Sequence, residues 1–397
     1  MYADTPLAPL SDLLEAEYPR AGDGIFLNSA AQGILARRTI DAMAGFERGR
    51  AYPNRIDDAL LLEVETTCRE RVGRLLGAPP ELVGLGVNTS EGINVAALHL
   101  PLASGDKVLV ARGEFPANVY PWLGLARSGI DTVFLEVEPP HLDAAKVVEA
   151  LDADPAIRAV SMSLVQFSNG HRNPVEAVGR ACRERGVFFV VDAIQGLGAV
   201  ELDWSALSAD LLACGGQKWL CGPWGSGFFV AAKWLCEDVE PVRIGWLQVA
   251  GARNYHSLCE YDLAFDPDCR RFEVGTYPYT ALLGLSESLE LIETLGVDRI
   301  AAHSRALLSS LEASLAALGA TAVSCPEPAC RSSIFCFRAD DPSDTRAVFA
   351  RLREGGVSCA FREGAIRLSP HFYNTPAEIE RTAALIGAAW PASSRSG

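Results

Sequence analysis

Val187-Phe-Phe-Val-Val-Asp-Ala-Ile-Gln-Gly196 is the stretch on which the fold turns. Five apolar residues, three of them β-branched, run into a carboxylate and then a glycine. A strand that is apolar on both faces suits the interior of a parallel sheet covered by helices. Asp192 closes that run. A carboxylate at a buried strand end needs a partner. A helix N-terminus, an arginine or a bound cation such as a protonated pyridine nitrogen would each serve.

Outward from this point the pattern repeats. Lys107–Ala111, Thr132–Val137, Ala159–Val165 and Gly227–Ala231 are further short apolar runs. Longer amphipathic stretches separate them from about Leu82 to Val230, which predicts a doubly wound α/β domain. Ligands in such sheets bind beyond the carboxyl ends of the strands. The rhythm then changes. Ala281–Leu295, Val297–Leu318, Asp344–Glu354 and Pro376–Ala389 read as helices, and Ser332–Arg338 and Val357–Leu368 as strands. These predict a smaller α+β domain, on which an N-terminal helix at about Leu7–Glu17 would pack. The tail from Pro391 to Gly397 is expected to fray.

The chain has 397 residues and a formal charge of -15, which disfavours general binding to nucleic acid or anionic membranes. The 11 cysteines show no CxxC pair and no metal-ligand spacing with histidine, so no metal site is expected from spacing. No signal peptide or membrane span is read, and a reduced, cytoplasmic protein is expected.

The second informative stretch is Cys214-Gly-Gly-Gln-Lys-Trp-Leu-Cys-Gly-Pro-Trp-Gly-Ser-Gly-Phe228, with Lys218 lying 26 positions after Asp192. A lysine among glycines and apolar residues is open to desolvation, which lowers its pKa and frees the amine to attack an aldehyde. A solvated loop lysine is the plainer alternative.

Together, Asp192-Ala-Ile-Gln195 and the segment around Lys218 resemble the class V aminotransferase family of fold type I pyridoxal 5'-phosphate (PLP) enzymes. That family includes cysteine desulfurases, kynureninase and isopenicillin N epimerase. The resemblance implies a large domain with a mainly parallel seven-stranded sheet at residues 24–275. Residues 1–23 and 276–397 would form the small α+β domain. It implies that Lys218 holds PLP as a Schiff base, that Asp192 pairs with the ring nitrogen and that Gln195 bonds the ring hydroxyl. Asn88-Thr-Ser-Glu-Gly-Ile-Asn94 is similar to the family's phosphate segment, with Thr89 and Ser90 at a helix N-terminus, where an anion is favoured. By itself that segment is only an N-cap signal. Phe115 aligns with the residue that stacks on the pyridine ring, although a core phenylalanine is the alternative. Gln217 stands where a histidine is usual and would reach the phosphate by its amide. The segment Gln166–Gly170 matches another cofactor-contact region without pointing to one residue.

Arg271-Phe-Glu-Val-Gly-Thr-Tyr277 resembles the family's Glu-x-Gly-Thr signature, which implies a homodimer in which Thr276 completes the neighbouring site. Phe361-Arg-Glu-Gly-Ala-Ile-Arg-Leu368 resembles the carboxylate-binding segment, so Arg367 would grip the substrate's α-carboxylate. Cys359 lies eight positions before Arg367, and the desulfurase loop that would carry a cysteine nucleophile looks absent. Cys359 therefore reads as core. The expected activity is PLP chemistry at the α-carbon of an α-amino acid: C–S β-lyase or deaminating chemistry on an unusual, possibly cysteine-derived, substrate. Epimerase or aminotransferase activity is the alternative, followed by cysteine desulfurase and by a non-catalytic relative.

Overall fold

The computed structural model describes residues 5–19, 24–52, 54–136 and 142–391. The end of the expected strand Thr132–Val137 and most of the Pro391–Gly397 tail lie outside them. A two-residue strand, β1 (Ile25–Phe26), precedes seven strands: β2 (Val83–Gly86), β3 (Lys107–Ala111), β4 (Asp131–Leu135), β5 (Ile157–Ser163), β6 (Phe188–Asp192), β7 (Leu211–Gly215) and β8 (Gly227–Ala231). The seven form one sheet in the order β2-β8-β7-β6-β5-β3-β4. All its neighbours run parallel except β8, which is antiparallel to both β7 and β2.

Alternation along the strands explains the two apolar faces. Leu109, Val160, Phe189, Val191 and Leu212 pack into one core cluster, and Val108, Val110, Ala159, Val190 and Leu211 into another across the sheet. The sequence reading did not single out β2 or β7. Val83-Gly-Leu-Gly86 carries two glycines and scores poorly as a strand. Packing overrides that preference: a Cβ on Gly84 would lie 2.0 Å from the ring of Phe229 on β8.

A four-stranded antiparallel sheet follows, formed by β9 (Thr321–Ala322), β10 (Phe335–Arg338), β12 (Ala360–Arg362) and β13 (Ala365–Leu368), in the order β12-β13-β10-β9. Between them β11 (Val357–Ser358) pairs in parallel with β1. The strand expected over Val357–Leu368 is thus broken. Glu363 and Gly364 both take positive φ, 45° and 81°, and close a two-residue hairpin that turns β13 back along β12. That turn delivers Arg367 to the sheet's centre strand.

The helix Tyr279–Leu295 packs on the helices Arg37–Arg50 and Asp58–Leu76. The N-terminal helix, Ser11–Glu17, bridges the two parts of the molecule. Leu7 and Leu14 enter the main core cluster, Glu17 pairs with Arg38, and Tyr18 packs on Phe372 and Tyr373. No helix among the described residues is long and apolar enough to cross a membrane.

Candidate active site

Three parallel strands end side by side. β5 closes at Ser163, β6 at Asp192 and β7 at Gly215, and Ser163 stands in register with Asp192. The chain turns beyond β7 and presents Lys218 over these ends. Phe115, Asp192, Gln195 and Lys218 line one narrow cavity, together with Glu114, Ser163, Val165, Gln166, Phe167 and Ile194.

Asp192 is buried, and one of its oxygens accepts from the Ile194 N–H at 3.0 Å. Burial pushes its pKa up to about 6, against the Ile194 N–H and the charge of Lys218, which both lower it. Burial likewise brings Lys218 down to about 8; Asp192 opposes this and Arg367 adds to it. The Lys218 Nζ sits 5.4 Å from the centroid of the Phe115 ring, and Phe167 meets that ring edge-on at 5.3 Å. A planar face, an amine with a lowered pKa and a buried carboxylate therefore share one small space.

The peptide that carries Lys218 is fixed on several sides. The Gly33 N–H donates to the Gln217 carbonyl at 2.8 Å, and a Cβ on Gly33 would lie 2.2 Å from the Lys218 carbonyl oxygen. Trp219 donates from Nε1 to Gln195 Oε1 at 3.1 Å, and its carbonyl is 2.8 Å from His371 Nε2. His371 is held neutral by burial, with its pKa brought down to about 3, so its Nε2 carries a proton to donate. The Gln195 amide nitrogen also donates to the Ala30 carbonyl at 3.0 Å, which leaves it one N–H and a lone pair toward the cavity.

The helix Thr89–His99 starts beside the same strand ends, capped by Asn88, which accepts from the Glu91 N–H at 3.0 Å. Thr89 is buried and accepts from the Gly215 N–H at 2.9 Å. A Cβ on Gly227 would lie 2.8 Å from the Asn88 nitrogen, so glycine lets β8 and this helix start approach. Ser90 borders a separate cleft of about 680 Å³ with Phe115, Asn94 and Tyr120. Gln217 has a buried Oε1 without a hydrogen-bond partner.

Arg367 is buried on β13 and donates from Nη1 to the Phe167 carbonyl at 2.8 Å. Its Nε is buried without a partner, and burial brings its pKa down to about 10. Its charge reaches Lys218, as the lowered pKa there records. Thr276 is exposed and does not line this cavity. Cys359 is buried among the apolar residues of the C-terminal core, where its thiol is pushed up to about 12.

Two contributors were not singled out from the sequence. Glu114 accepts from the Ser163 N–H and hydroxyl, both at 2.8 Å, and its second oxygen is buried without a partner. Burial raises its pKa to about 7, and the negative charge of Asp192 adds to this. Phe167 lines the cavity edge-on to Phe115, and its carbonyl accepts from Arg367. Glu114 stands immediately before Phe115, so its place beside the expected ring-stacking residue was the available signal.

A doubly wound sheet with a lysine over its carboxyl edge, a carboxylate at a strand end and an aromatic face beside them defines a fold type I site for PLP. The comparisons give the family. The model of the family described as Aminotransferase class-V matches residues 25–382, and the chain belongs to that family of PLP-dependent enzymes. It is 26% identical over 384 residues to a probable cysteine desulfurase of Methanothermobacter thermautotrophicus, spanning 92% of this chain and 94% of the relative. It is 28% identical over 370 residues to isopenicillin N epimerase of Streptomyces clavuligerus, spanning 90% and 92%. Among solved structures, a cystine C–S lyase in complex with its reaction product cysteine persulfide superposes with a TM-score of 0.85. The match covers 94% of this chain and all of the other at 22% identity, a likeness of fold.

Proposed function

We propose that the chain is a PLP-dependent C–S lyase acting on a cysteine-derived α-amino acid. The observation that carries this reading is Arg367, which has an unpartnered buried Nε and is tied through the Phe167 carbonyl to the wall of the Lys218 cavity, a cavity that no cysteine among the described residues lines. An arginine with an unpartnered nitrogen suits an α-carboxylate, and an amine with a lowered pKa suits proton transfer at the neighbouring α-carbon. The relatives' names include both desulfurase and epimerase activities. The burial of Cys359 and its raised pKa argue against a desulfurase, which needs a reactive thiolate.

The residues fit the cofactor. Lys218 would hold it by its aldehyde carbon, Asp192 would face its ring nitrogen, and Phe115 would cover its ring. Gln195 has a free N–H for the ring hydroxyl. Thr89 and Ser90 offer the helix start, where free N–H groups favour a phosphate. Gln217 offers a carboxamide whose two ends exchange by a flip, so either can meet a phosphate oxygen or its proton. Thr276, exposed on the surface, would serve a neighbouring subunit in a homodimer. When bound, the cofactor supplies an electron sink for the pair left as a bond to the α-carbon breaks.

The chain's own groups do the rest. Arg367 fixes the carboxylate and so selects the bond that breaks. Lys218 takes the α-proton. Phe115 and Phe167 keep water from the reacting face. Departure of the sulfur as a thiol and hydrolysis of the remainder give a keto acid, ammonia and a thiol, with one water consumed.

The test is product analysis with a panel of S-substituted cysteines and cystine. Equimolar thiol, keto acid and ammonia support the lyase. An inverted α-centre without thiol release would make the protein an epimerase, and a keto acid without thiol would make it an aminotransferase.

A further inference from the structure

Away from this cavity, the fold brings a distant histidine to two cysteines that are near neighbours in sequence. His171, Cys325 and Cys330 each place one ligand atom within 4.8 Å of the other two. His171 and Cys325 are almost wholly buried, and Cys330 is half-buried.

The backbone arranges them before any ion arrives. His171 bridges Arg331 in antiparallel fashion, and the Arg172 N–H donates to the Cys330 carbonyl at 2.9 Å. Cys330 ends a short turn whose N–H donates to the Glu327 carbonyl at 3.0 Å, and Arg331 Nε donates to the Cys325 carbonyl at 3.0 Å. The two flanking arginines already have partners: Arg331 pairs with Glu312, and Arg172 with Glu176. Two thiolates would therefore neutralise a divalent ion without competing for these guanidinium groups.

We propose that His171, Cys325 and Cys330 form a binding site for a soft divalent metal, with zinc the metal that the donor set fits. Two thiolates and one imidazole are a tetrahedral zinc set lacking one ligand. Cys325 also lines a cavity of about 120 Å³ with Gly170, Ser324 and Arg331, which has room for a water as the fourth ligand. Binding releases the two thiol protons to solvent, and the metal undergoes no change of oxidation state.

The place of the site gives it a task. His171 closes the Gln166–Gly170 loop, its carbonyl accepting from the Gln166 N–H at 2.8 Å. Cys325 and Cys330 lie on the segment between β9 and β10. The ion would staple the loop that lines the cavity, and that holds Arg367 through Phe167, to the C-terminal sheet. This proposal stands apart from the reading of the reaction.

The experiment is cobalt titration of the full-length holoprotein, purified without oxygen and stripped with a chelator. One equivalent of Co²⁺ is expected to give thiolate charge-transfer bands and tetrahedral bands in the red, away from cofactor absorbance. Cys325→Ser and Cys330→Ser should each weaken binding at least ~10-fold, since even outer-shell partners of a metal carry that much. Cys259→Ser, which alters an exposed cysteine outside the cluster, should leave it unchanged. If the two serine variants fail to fold, wild-type protein still decides the question, because Zn²⁺ should protect Cys330 from alkylation. Absence of thiolate bands at excess Co²⁺, equal binding by the serine variants, or no protection of Cys330 would overturn the proposal. So would a Cys325–Cys330 disulfide in the oxygen-free preparation.

Discussion

Two groups of buried charges lie against the same sheet, and they are finished differently. Arg69 and Glu273 meet through two hydrogen bonds of 2.6 Å, with Tyr277 donating to the same carboxylate. The other Glu273 oxygen, Oε1, accepts from the Leu85 N–H as well, at 2.6 Å. Around Lys218 the charges are as secluded but left open. Asp192 has one backbone N–H, one oxygen of Glu114 is unpartnered, and the Nε of Arg367 is unpartnered. In the first network both carboxylate oxygens are filled and the Arg69 Nε is left over, which fixes structure; in the second a carboxylate oxygen of Glu114 stays open as well, which holds room for a ligand and moves the pKa values toward the working range.

Substitutions separate the two. Lys218→Ala should cost at least ~10⁴-fold in turnover, on the scale of removing a nucleophile that acts with its partners as a unit. It should also abolish the visible absorbance of the bound cofactor while leaving the melting temperature of the apoprotein almost unchanged. Arg69→Ala should do the reverse. Stranding Glu273 should destabilise the fold by about 3–5 kcal/mol in urea denaturation, with turnover per folded molecule retained. If Arg69→Ala abolished turnover in protein shown to be folded, the contrast would fail.

The titration of Lys218 sharpens it. Cofactor uptake by apoprotein needs the neutral amine, whose fraction rises with pH. Stopped-flow uptake rates should therefore climb to half-maximum near pH 8, the value to which burial lowers this lysine, rather than near the ordinary 10.5. Arg367→Lys keeps the charge and loses the fork. It should raise KM by about 10-fold, the ~1.4 kcal/mol scale of one charged hydrogen bond, with cofactor absorbance intact. Cys359→Ser should be the mildest, with turnover within about 2-fold of wild type. A loss of ~10³-fold or more would restore the desulfurase reading.

What was legible in the sequence follows from locality. Asp192 and Lys218 each end or interrupt an apolar run, so their neighbours announce them. Phe115, Gln195 and Arg367 were legible through family motifs, and the structure brings the first two to the same cavity as Lys218. Glu114 and Phe167 were harder, because their meaning depends on Ser163 and Arg367, which are distant in the chain. β2 was hidden by glycines that only the ring of Phe229 explains. The turn at Glu363-Gly364 was passed over when Val357–Leu368 was read as one strand, although Arg362-Glu363-Gly364 interrupts its apolar pattern. In the cluster of His171 with Cys325 and Cys330, the Cys-x4-Cys spacing was there to read, but the histidine that completes it lies about 150 positions away, a separation that only the fold closes.

The immobilised peptide around Lys218 has one more consequence. With Gln217, Lys218 and Trp219 pinned through Gly33, Gln195 and His371, the amine can move only by rotation within its own side chain. Its search volume is a small pocket, and its encounter with a bound carbon is intramolecular. Such a tethered group acts at an effective molarity far above any free amine, reaching ~10⁵ M or more in well-oriented systems. A free amine added to Lys218→Ala should accordingly restore turnover only weakly, because it would bring back the functional group without the confinement.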